Sequence, residues 1–142
     1  MNKTVNSISK SLINNFSDIQ ITDEDKDLIS VIMTHGLIED TQDAPSINAI
    51  KRLMSRIHGY PTDLIVYRSG NLHPKRKPYL SASISKDISN RYRSTGNRRH
   101  RIIIKAGAPF IPLSIINPYN MEYEIILDAS RIHKTLFGYT YR

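Results

Sequence analysis

The chain has 142 residues, of which 39% are hydrophobic and 23% are charged, and it contains no cysteine. This length suits a single domain with its own hydrophobic core, and the lack of cysteine excludes disulfides and thiolate metal sites. No apolar run reaches the roughly 18 residues that a membrane helix needs, and the polar beginning of the chain lacks the apolar core of a signal peptide. We therefore expect a cytoplasmic protein without a membrane partner.

The net charge of +7 is distributed unevenly along the chain. Residues 1–43 contain 3 basic and 8 acidic residues, a net charge of −5, whereas residues 44–142 contain 17 and 5, a net charge of +12. A basic body of this kind favours an anionic ligand, a nucleic acid or an acidic protein surface as the partner. A charge pattern that only keeps the protein soluble explains the same numbers equally well.

The N-terminal part, residues 1–60, is predicted to be helical. Its polar beginning indicates a short helix or an adaptable arm. Thr22 is typical of an N-cap because acidic residues follow it in the first predicted turn, where they suit the helix dipole, and this helix is expected to end near Gly36. A second amphipathic helix is predicted from about Asp43 to Gly59.

Residues 61–142 are predicted to be mainly β-structure, because short alternating segments are separated by Gly, Pro and polar residues. Five strands are predicted, at residues 64–70, 79–85, 100–106, 122–128 and 134–142. Between them we expect a basic loop at 71–78, a short helix at 85–94 and a proline-rich connection with a short strand at 107–120. Helices followed mostly by strands indicate a single α+β domain.

The predicted strand EYEIILD (122–128) carries two carboxylates that could perform chemistry. In an extended strand Glu122 and Glu124 lie on one face, about 7 Å apart. Neighbouring carboxylates of this kind share acid, base and charge-stabilising roles in several enzyme classes. The alternative is an exposed strand face on which Glu has no function.

The predicted strand LIVYRSG (64–70) places Arg68 on the same face as Leu64 and Val66. Arginine is rarely buried without a partner, and its planar guanidinium binds phosphates or carboxylates through two hydrogen bonds. The alternative is an arginine at the end of a strand that extends into solvent.

The predicted strand YLSASIS (79–85) has one apolar face and one face of small hydroxyl side chains, formed by Ser81, Ser83 and Ser85. Taken alone, this pattern also suits an exposed sheet edge. The basic stretch at 91–101 contains five arginines but only one aromatic residue, Tyr92, so its evidence for nucleic-acid binding is weak. The five histidines have no metal-ligand spacing, and no metal is expected.

The order of these three strands resembles that of mono-ADP-ribosyltransferases of the Arg-Ser-Glu class. Those enzymes have a strand that ends in an aromatic-Arg pair, then a strand with Ser-x-Ser, then a strand with Glu-x-Glu. Here the three segments are VYRSG (66–70), YLSASIS (79–85) and EYEIILD (122–128). The chain is most similar to small phage-encoded arginine ADP-ribosyltransferases. The resemblance covers about the C-terminal two-thirds of the chain and implies a split β-sandwich with N-terminal helices and NAD in its cleft.

The resemblance also implies roles for individual residues. Arg68 matches the arginine that holds an NAD phosphate, Glu124 the catalytic glutamate and Glu122 the first glutamate of the pair, which accompanies arginine acceptors. Ser81 matches the serine that orients the catalytic glutamate, and Ser83 the third residue of that motif. Ser69 takes a position beside nicotinamide that is often glycine in the family, and Tyr92 is assigned to stack on nicotinamide. Tyr119 and Asn120 are assigned to the turn that recognises the target protein.

The resemblance thus predicts transfer of ADP-ribose from NAD to a target protein, on arginine, with release of nicotinamide and without a metal. The partner is expected to be a host or target-cell protein, with an acidic surface that suits the basic body, and the site of action is the host cytoplasm. Two alternatives stay open. The chain could be a non-enzymatic nucleic-acid-binding module, or a transferase of the same fold that uses RNA or another nucleic acid as substrate.

Overall fold

The computed structural model describes residues 5–35, 44–70, 72, 78–86, 99–117 and 123–142. Its helices are α1 (Val5–Asn15), α2 (Asp23–His35) and α3 (Ala44–Arg56). Its strands are β1 (Leu64–Ser69), β2 (Tyr79–Ser83), β3 (Arg99–Ile104), β4 (Ile111–Pro112), β5 (Glu124–Asp128), β6 (Ile132–Thr135) and β7 (Gly138–Tyr141). The predicted α+β class is confirmed. No helix in the described part of the chain is long and apolar enough to cross a membrane.

The helices begin and pack as their sequences predict. Thr22 is the N-cap of α2, since its Oγ1 accepts a 3.1 Å hydrogen bond from the backbone N–H of Asp25. The buried carboxylate of Asp25 also accepts a 2.6 Å hydrogen bond from Arg52 of α3, so an ion pair joins the two helices. The guanidinium of Arg52 holds the pKa of Asp25 below its usual value.

The end of α3 differs from the prediction. The helix ends at Arg56, before Gly59. Gly59 has another role, because a Cβ on it would lie 2.2 Å from the carbonyl carbon of Gly107. The N–H of Gly107 donates a 2.9 Å hydrogen bond to the carbonyl of Tyr60. Glycine at position 59 therefore lets the chain that enters β1 approach the backbone that leaves β3.

The seven strands form one sheet with the order β4-β5-β2-β1-β3-β7-β6, which divides into two parts. β1 pairs with β3 over six residues, and β2 pairs with β5 over five. The register between β1 and β2 contains a single pair, Tyr67 with Ser83. The sheet therefore consists of a β4-β5-β2 part and a β1-β3-β7-β6 part that separate on either side of this pair.

Buried side chains from the helices and both parts of the sheet form one hydrophobic core. Phe16, at the end of α1, stacks on His58 and meets Phe110 edge-on, with ring centroids 5.3 and 5.5 Å apart. Tyr141 of β7 is fully buried and connects the two sheet parts. Its hydroxyl donates a 2.5 Å hydrogen bond to the carbonyl of Pro109 and accepts one of 3.1 Å from the N–H of Asp128.

The last predicted strand, 134–142, is wrong as a single element. The structure has an antiparallel hairpin there, in which β6 and β7 are paired from Ile132 with Tyr141 to Thr135 with Gly138. The turn is Leu136-Phe137, a pair that lacks the Asn and Gly signals by which two-residue turns are predicted. The predicted Gly36 helix end and residues 87–94 of the predicted helix 85–94 lie outside the described residues.

Candidate functional site

Two of the predicted site residues, Arg68 and Ser81, are in contact where β1 and β2 separate. Beyond the pair of Tyr67 with Ser83, the guanidinium of Arg68 donates a 2.8 Å hydrogen bond to the backbone carbonyl of Ser81. This contact joins the two sheet parts at the point where the ladder ends. Burial lowers the pKa of Arg68 from its usual value, so an anion bound beside it would stabilise its charged form.

The catalytic candidate Glu124 is the first residue of β5, and Ser83 of β2 lies directly opposite. Residues paired in this way on antiparallel strands point to the same face, with Cβ atoms about 5 Å apart. Ser83 is buried, and its hydroxyl accepts a 3.0 Å hydrogen bond from the backbone N–H of Ser85. The carboxylate therefore lies beside a small hydroxyl that the backbone holds in place.

The resemblance assigns Ser81 to orienting the catalytic glutamate. On β2 it lies diagonally across from Glu124 of β5 and not directly opposite. Its cross-strand partner is Ile126, two residues beyond Glu124. Within the described part of the chain no hydrogen bond joins the Ser81 hydroxyl to Glu124, and the backbone carbonyl of Ser81 accepts the hydrogen bond from Arg68. Its orienting role stays a prediction, and the register gives Ser83 the shorter cross-strand path to the carboxylate.

Tyr67 is a residue of this site that the sequence analysis did not single out. It is the cross-strand partner of Ser83, which is itself the partner of Glu124. The guanidinium of Arg99 lies over its ring, 5.7 Å from the centroid. Its position directly before Arg68 in a strand places it on the opposite face from the arginine, but only the pairing of β1 with β2 shows that Ser83 lies on the same face as Tyr67.

The backbone turns sharply just before Glu124. Tyr123 has φ of 51°, the one non-glycine residue with positive φ among those described, and its hydroxyl donates a 2.8 Å hydrogen bond to Asn6 of α1. Bulky residues rarely adopt this left-handed conformation. Within the described residues the predicted strand 122–128 therefore begins only at Glu124. The predicted spacing of Glu122 from Glu124 stays a prediction, because Glu122 lies outside those residues.

Ser69 is an ordinary strand residue that pairs with Arg99. The positive φ at this end of β1 belongs to the next residue, Gly70, with φ of 105°. A Cβ on Gly70 would meet no atom within 4 Å, so this glycine is required for its backbone conformation rather than for close packing. Serine at position 69 therefore fits without strain.

Four predicted site residues lie outside the described residues, namely Glu122, Tyr92, Tyr119 and Asn120. Their roles stay predictions. Among the residues that are described, no cluster of three His, Asp or Glu side chains is arranged to hold a metal ion.

Solved structures with the same architecture are bacterial ADP-ribosylating toxins. Plx2a, an ADP-ribosyltransferase toxin from Paenibacillus larvae, has a TM-score of 0.65 at 14% identity, over 96% of this chain and 92% of that one. BECa of a Clostridium perfringens binary enterotoxin, solved with NADH, has a TM-score of 0.64 at 15% identity, over 89% of this chain but 41% of that one. Exoenzyme S from Pseudomonas aeruginosa, solved with human 14-3-3 protein beta and carba-NAD, has a TM-score of 0.59 at 10% identity, over 96% and 86%.

These similarities show that the chain has the ADP-ribosyltransferase fold. No protein-family model matches the sequence, and no curated protein matches it.

Proposed function

We propose that this protein is an NAD-dependent mono-ADP-ribosyltransferase of the Arg-Ser-Glu class that modifies a target protein. One observation carries the proposal. The sheet places β1, β2 and β5 side by side, so that Arg68 contacts Ser81 and Ser83 faces Glu124, although more than 50 residues separate Arg68 from Glu124 along the chain. The three motifs of the resemblance therefore lie on three adjacent strands of the sheet.

Arg68 is proposed to bind the pyrophosphate of NAD. A guanidinium fits phosphate oxygens through parallel hydrogen bonds, and partial burial strengthens that attraction because water competes less. The NADH and carba-NAD in the toxin structures of similar fold support NAD as the co-substrate. The excess of basic residues in 44–142 would favour approach of the dinucleotide.

Glu124 is proposed to stabilise the reacting ribose. The bond between ribose C1 and the nicotinamide nitrogen breaks, nicotinamide leaves with the bonding electrons, and positive charge develops on the sugar as in glycoside hydrolysis. A carboxylate held in place beside that charge lowers the barrier most when it is already oriented. The acceptor nitrogen then bonds to C1 and loses a proton.

Arginine is proposed as the acceptor, because the resemblance pairs a glutamate at position 122 with that residue type. Glu122 would accept a hydrogen bond or a proton from the incoming guanidinium. Glu122→Gln should therefore reduce transfer to protein far more than hydrolysis of NAD. Equal losses in the two reactions would contradict this division of roles.

The proposed setting is that of a phage or toxin-type effector in the cytoplasm of a host cell. The fold shared with a bacterial ADP-ribosyltransferase toxin and the basic body support a protein partner with an acidic surface. Mass spectrometry of a bacterial lysate treated with the protein and NAD would identify ADP-ribose adducts and the residues that carry them.

The central test is Glu124→Gln, which keeps the size and shape of the side chain. We expect it to abolish NAD hydrolysis and protein labelling, while NAD still raises the melting temperature as it does for the wild-type chain. Asp128→Asn, at the other end of β5, is the matched control and should keep activity. Full activity of Glu124→Gln, or no response of the wild-type protein to NAD, would refute the proposal.

A further inference from the structure

The hairpin of β6 and β7 ends in two large apolar side chains that are surrounded by solvent. Thr135 pairs with Gly138, so Leu136 and Phe137 form the two-residue turn, and they are 89% and 95% exposed. Such turns normally contain Asn, Asp or Gly, whose backbone preferences suit them and whose side chains tolerate water. Turn chemistry therefore does not account for Leu and Phe here, whereas a binding surface does.

Leu136 and Phe137, called the tip below, lie at the same end of the sheet as the candidate site. Cross-strand pairs lead from Glu124 to Ser83, from Ser83 to Tyr67 and from Tyr67 to Arg101. The carbonyl of Arg101 lies 3.7 Å from where Gly138 would carry a Cβ. Neighbouring strands are about 4.8 Å apart, so the four steps from β5 to β7 put Gly138, at the base of the tip, within about 20 Å of Glu124.

Two exposed basic residues lie near the tip. Lys134 directly precedes Thr135 of the turn and is exposed, and Arg101 is exposed on the strand beside β7. The acidic residue Asp63 lies before the first residue of β1, at the end of β1 that is farther from the tip. There it forms an ion pair with Lys105 at 2.9 Å. The tip is thus an apolar point within a positive surface, which complements an apolar pocket within an acidic one.

We propose that Leu136 and Phe137 anchor the protein substrate by entering an apolar pocket in an acidic surface of that protein. The inference rests on the proposed transferase function. A typical protein interface buries about 800 Å² on each partner, an area about 30 Å across. A protein that presents its acceptor side chain to Glu124 would therefore also cover a tip about 20 Å away, and a large buried aromatic side chain is a common anchor of such interfaces.

A protein substrate accounts for the position of the tip better than a lipid surface or a second copy of the chain does. Neither of those partners requires the apolar pair to lie at the end of the sheet where Glu124 begins β5. The substrate protein does require it, because its acceptor residue must reach the glutamate while the rest of its surface rests on neighbouring strands.

The test compares the full chain with the double variant Leu136→Ser/Phe137→Ser in two assays. The first is hydrolysis of NAD in buffer, and the second is transfer of labelled ADP-ribose from NAD to the proteins of a bacterial lysate. We expect hydrolysis to stay within about twofold of wild type and protein labelling to fall at least about tenfold. Lys134→Glu should lower labelling in the same selective way.

Ile13→Ser is the matched control, since Ile13 is an apolar residue of α1 that is 43% exposed. It should change neither reaction. Unchanged labelling by the double variant, or an equal fall in both reactions, would overturn the inference. So would binding to phosphatidylglycerol vesicles, or self-association in sedimentation, that requires the tip while labelling does not.

Failure of the proposed function gives a different result. In that case the wild-type chain neither hydrolyses NAD nor labels protein, and the inference fails with it. If the inference alone fails, the wild-type chain performs both reactions and the double variant performs them equally well.

Discussion

The hydroxyl of Tyr123 donates a 2.8 Å hydrogen bond to the side-chain oxygen of Asn6, 117 positions earlier in the chain. Tyr123 directly precedes Glu124 and has a left-handed backbone. This conformation costs roughly 1–2 kcal/mol in an L-residue other than glycine, and it persists only where surrounding contacts stabilise it. The first helix therefore helps to set the direction in which the chain enters β5.

Removing this hydrogen bond should impair the site more than the fold. We expect Asn6→Ala and Tyr123→Phe each to lower the kcat of NAD hydrolysis several-fold, with a loss of only about 1 kcal/mol in the free energy of unfolding. The double variant should be no worse than either single variant, because both remove the same interaction. Additive losses would show that the two residues act independently. Measurement requires steady-state kinetics and urea unfolding of all four proteins.

The two serines of β2 should differ in their effect on catalysis. Ser83 lies opposite Glu124 and Ser81 opposite Ile126, so we expect Ser83→Ala to reduce NAD hydrolysis by about tenfold and Ser81→Ala to reduce it less. Because Ser83 also accepts a bond from the N–H of Ser85, melting temperatures must be measured in parallel. A larger loss for Ser81→Ala would favour the role that the resemblance assigns to it.

Tyr141 should contribute to stability through both of its hydrogen bonds. Tyr141→Phe leaves the carbonyl of Pro109 and the N–H of Asp128 without this partner, and we expect a loss of about 1–3 kcal/mol in the free energy of unfolding. Tyr139→Phe, on the same strand and half-buried, is the control and should cost less. Equal stability of Tyr141→Phe and wild type in urea would refute this role.

Burial also raises the pKa of Tyr141. A raised pKa in the folded state means that this contribution is complete below the ordinary value of 10.0 and is lost as pH rises above it. The stability difference between wild type and Tyr141→Phe should therefore shrink in alkaline solution. A difference that stays constant from pH 8 to pH 11 would contradict the assignment.

The ion pair of Asp25 and Arg52 should make stability depend on acid pH. The pKa of Asp25 is lowered in the folded protein, chiefly by the hydrogen bond from Arg52, so its contribution is present above the ordinary value of 3.8 and is lost as pH falls below it. Asp25→Asn should reduce the melting temperature at pH 6 and converge with wild type near pH 3. Asp27→Asn, exposed on the same helix, is the control for the loss of a carboxylate at the surface of α2.

Local patterns in the sequence were sufficient for most of the elements. Apolar spacing, the Thr22 N-cap and alternation in YLSASIS and LIVYRSG predict helices and strands that the structure contains, because these signals depend on neighbouring residues alone. The same alternation put Arg68 on β1 and Ser81 and Ser83 on β2, whereas Ser85 of the predicted strand 79–85 lies beyond the end of β2. The hairpin at Leu136 and Phe137 was missed because its turn residues are those of a strand rather than of a turn.

By itself the sequence determined the order of the elements, the absence of disulfides, the basic body and the three motif segments. The tertiary structure alone decided which strands are neighbours, because pairing across more than 40 residues depends on the global packing of the sheet and not on local preference. It thereby placed Ser83 opposite Glu124 and Tyr67 on the other side of Ser83. It also gave Tyr123 a left-handed backbone, since a contact with Asn6 at the other end of the chain can stabilise a conformation that its own residue type disfavours.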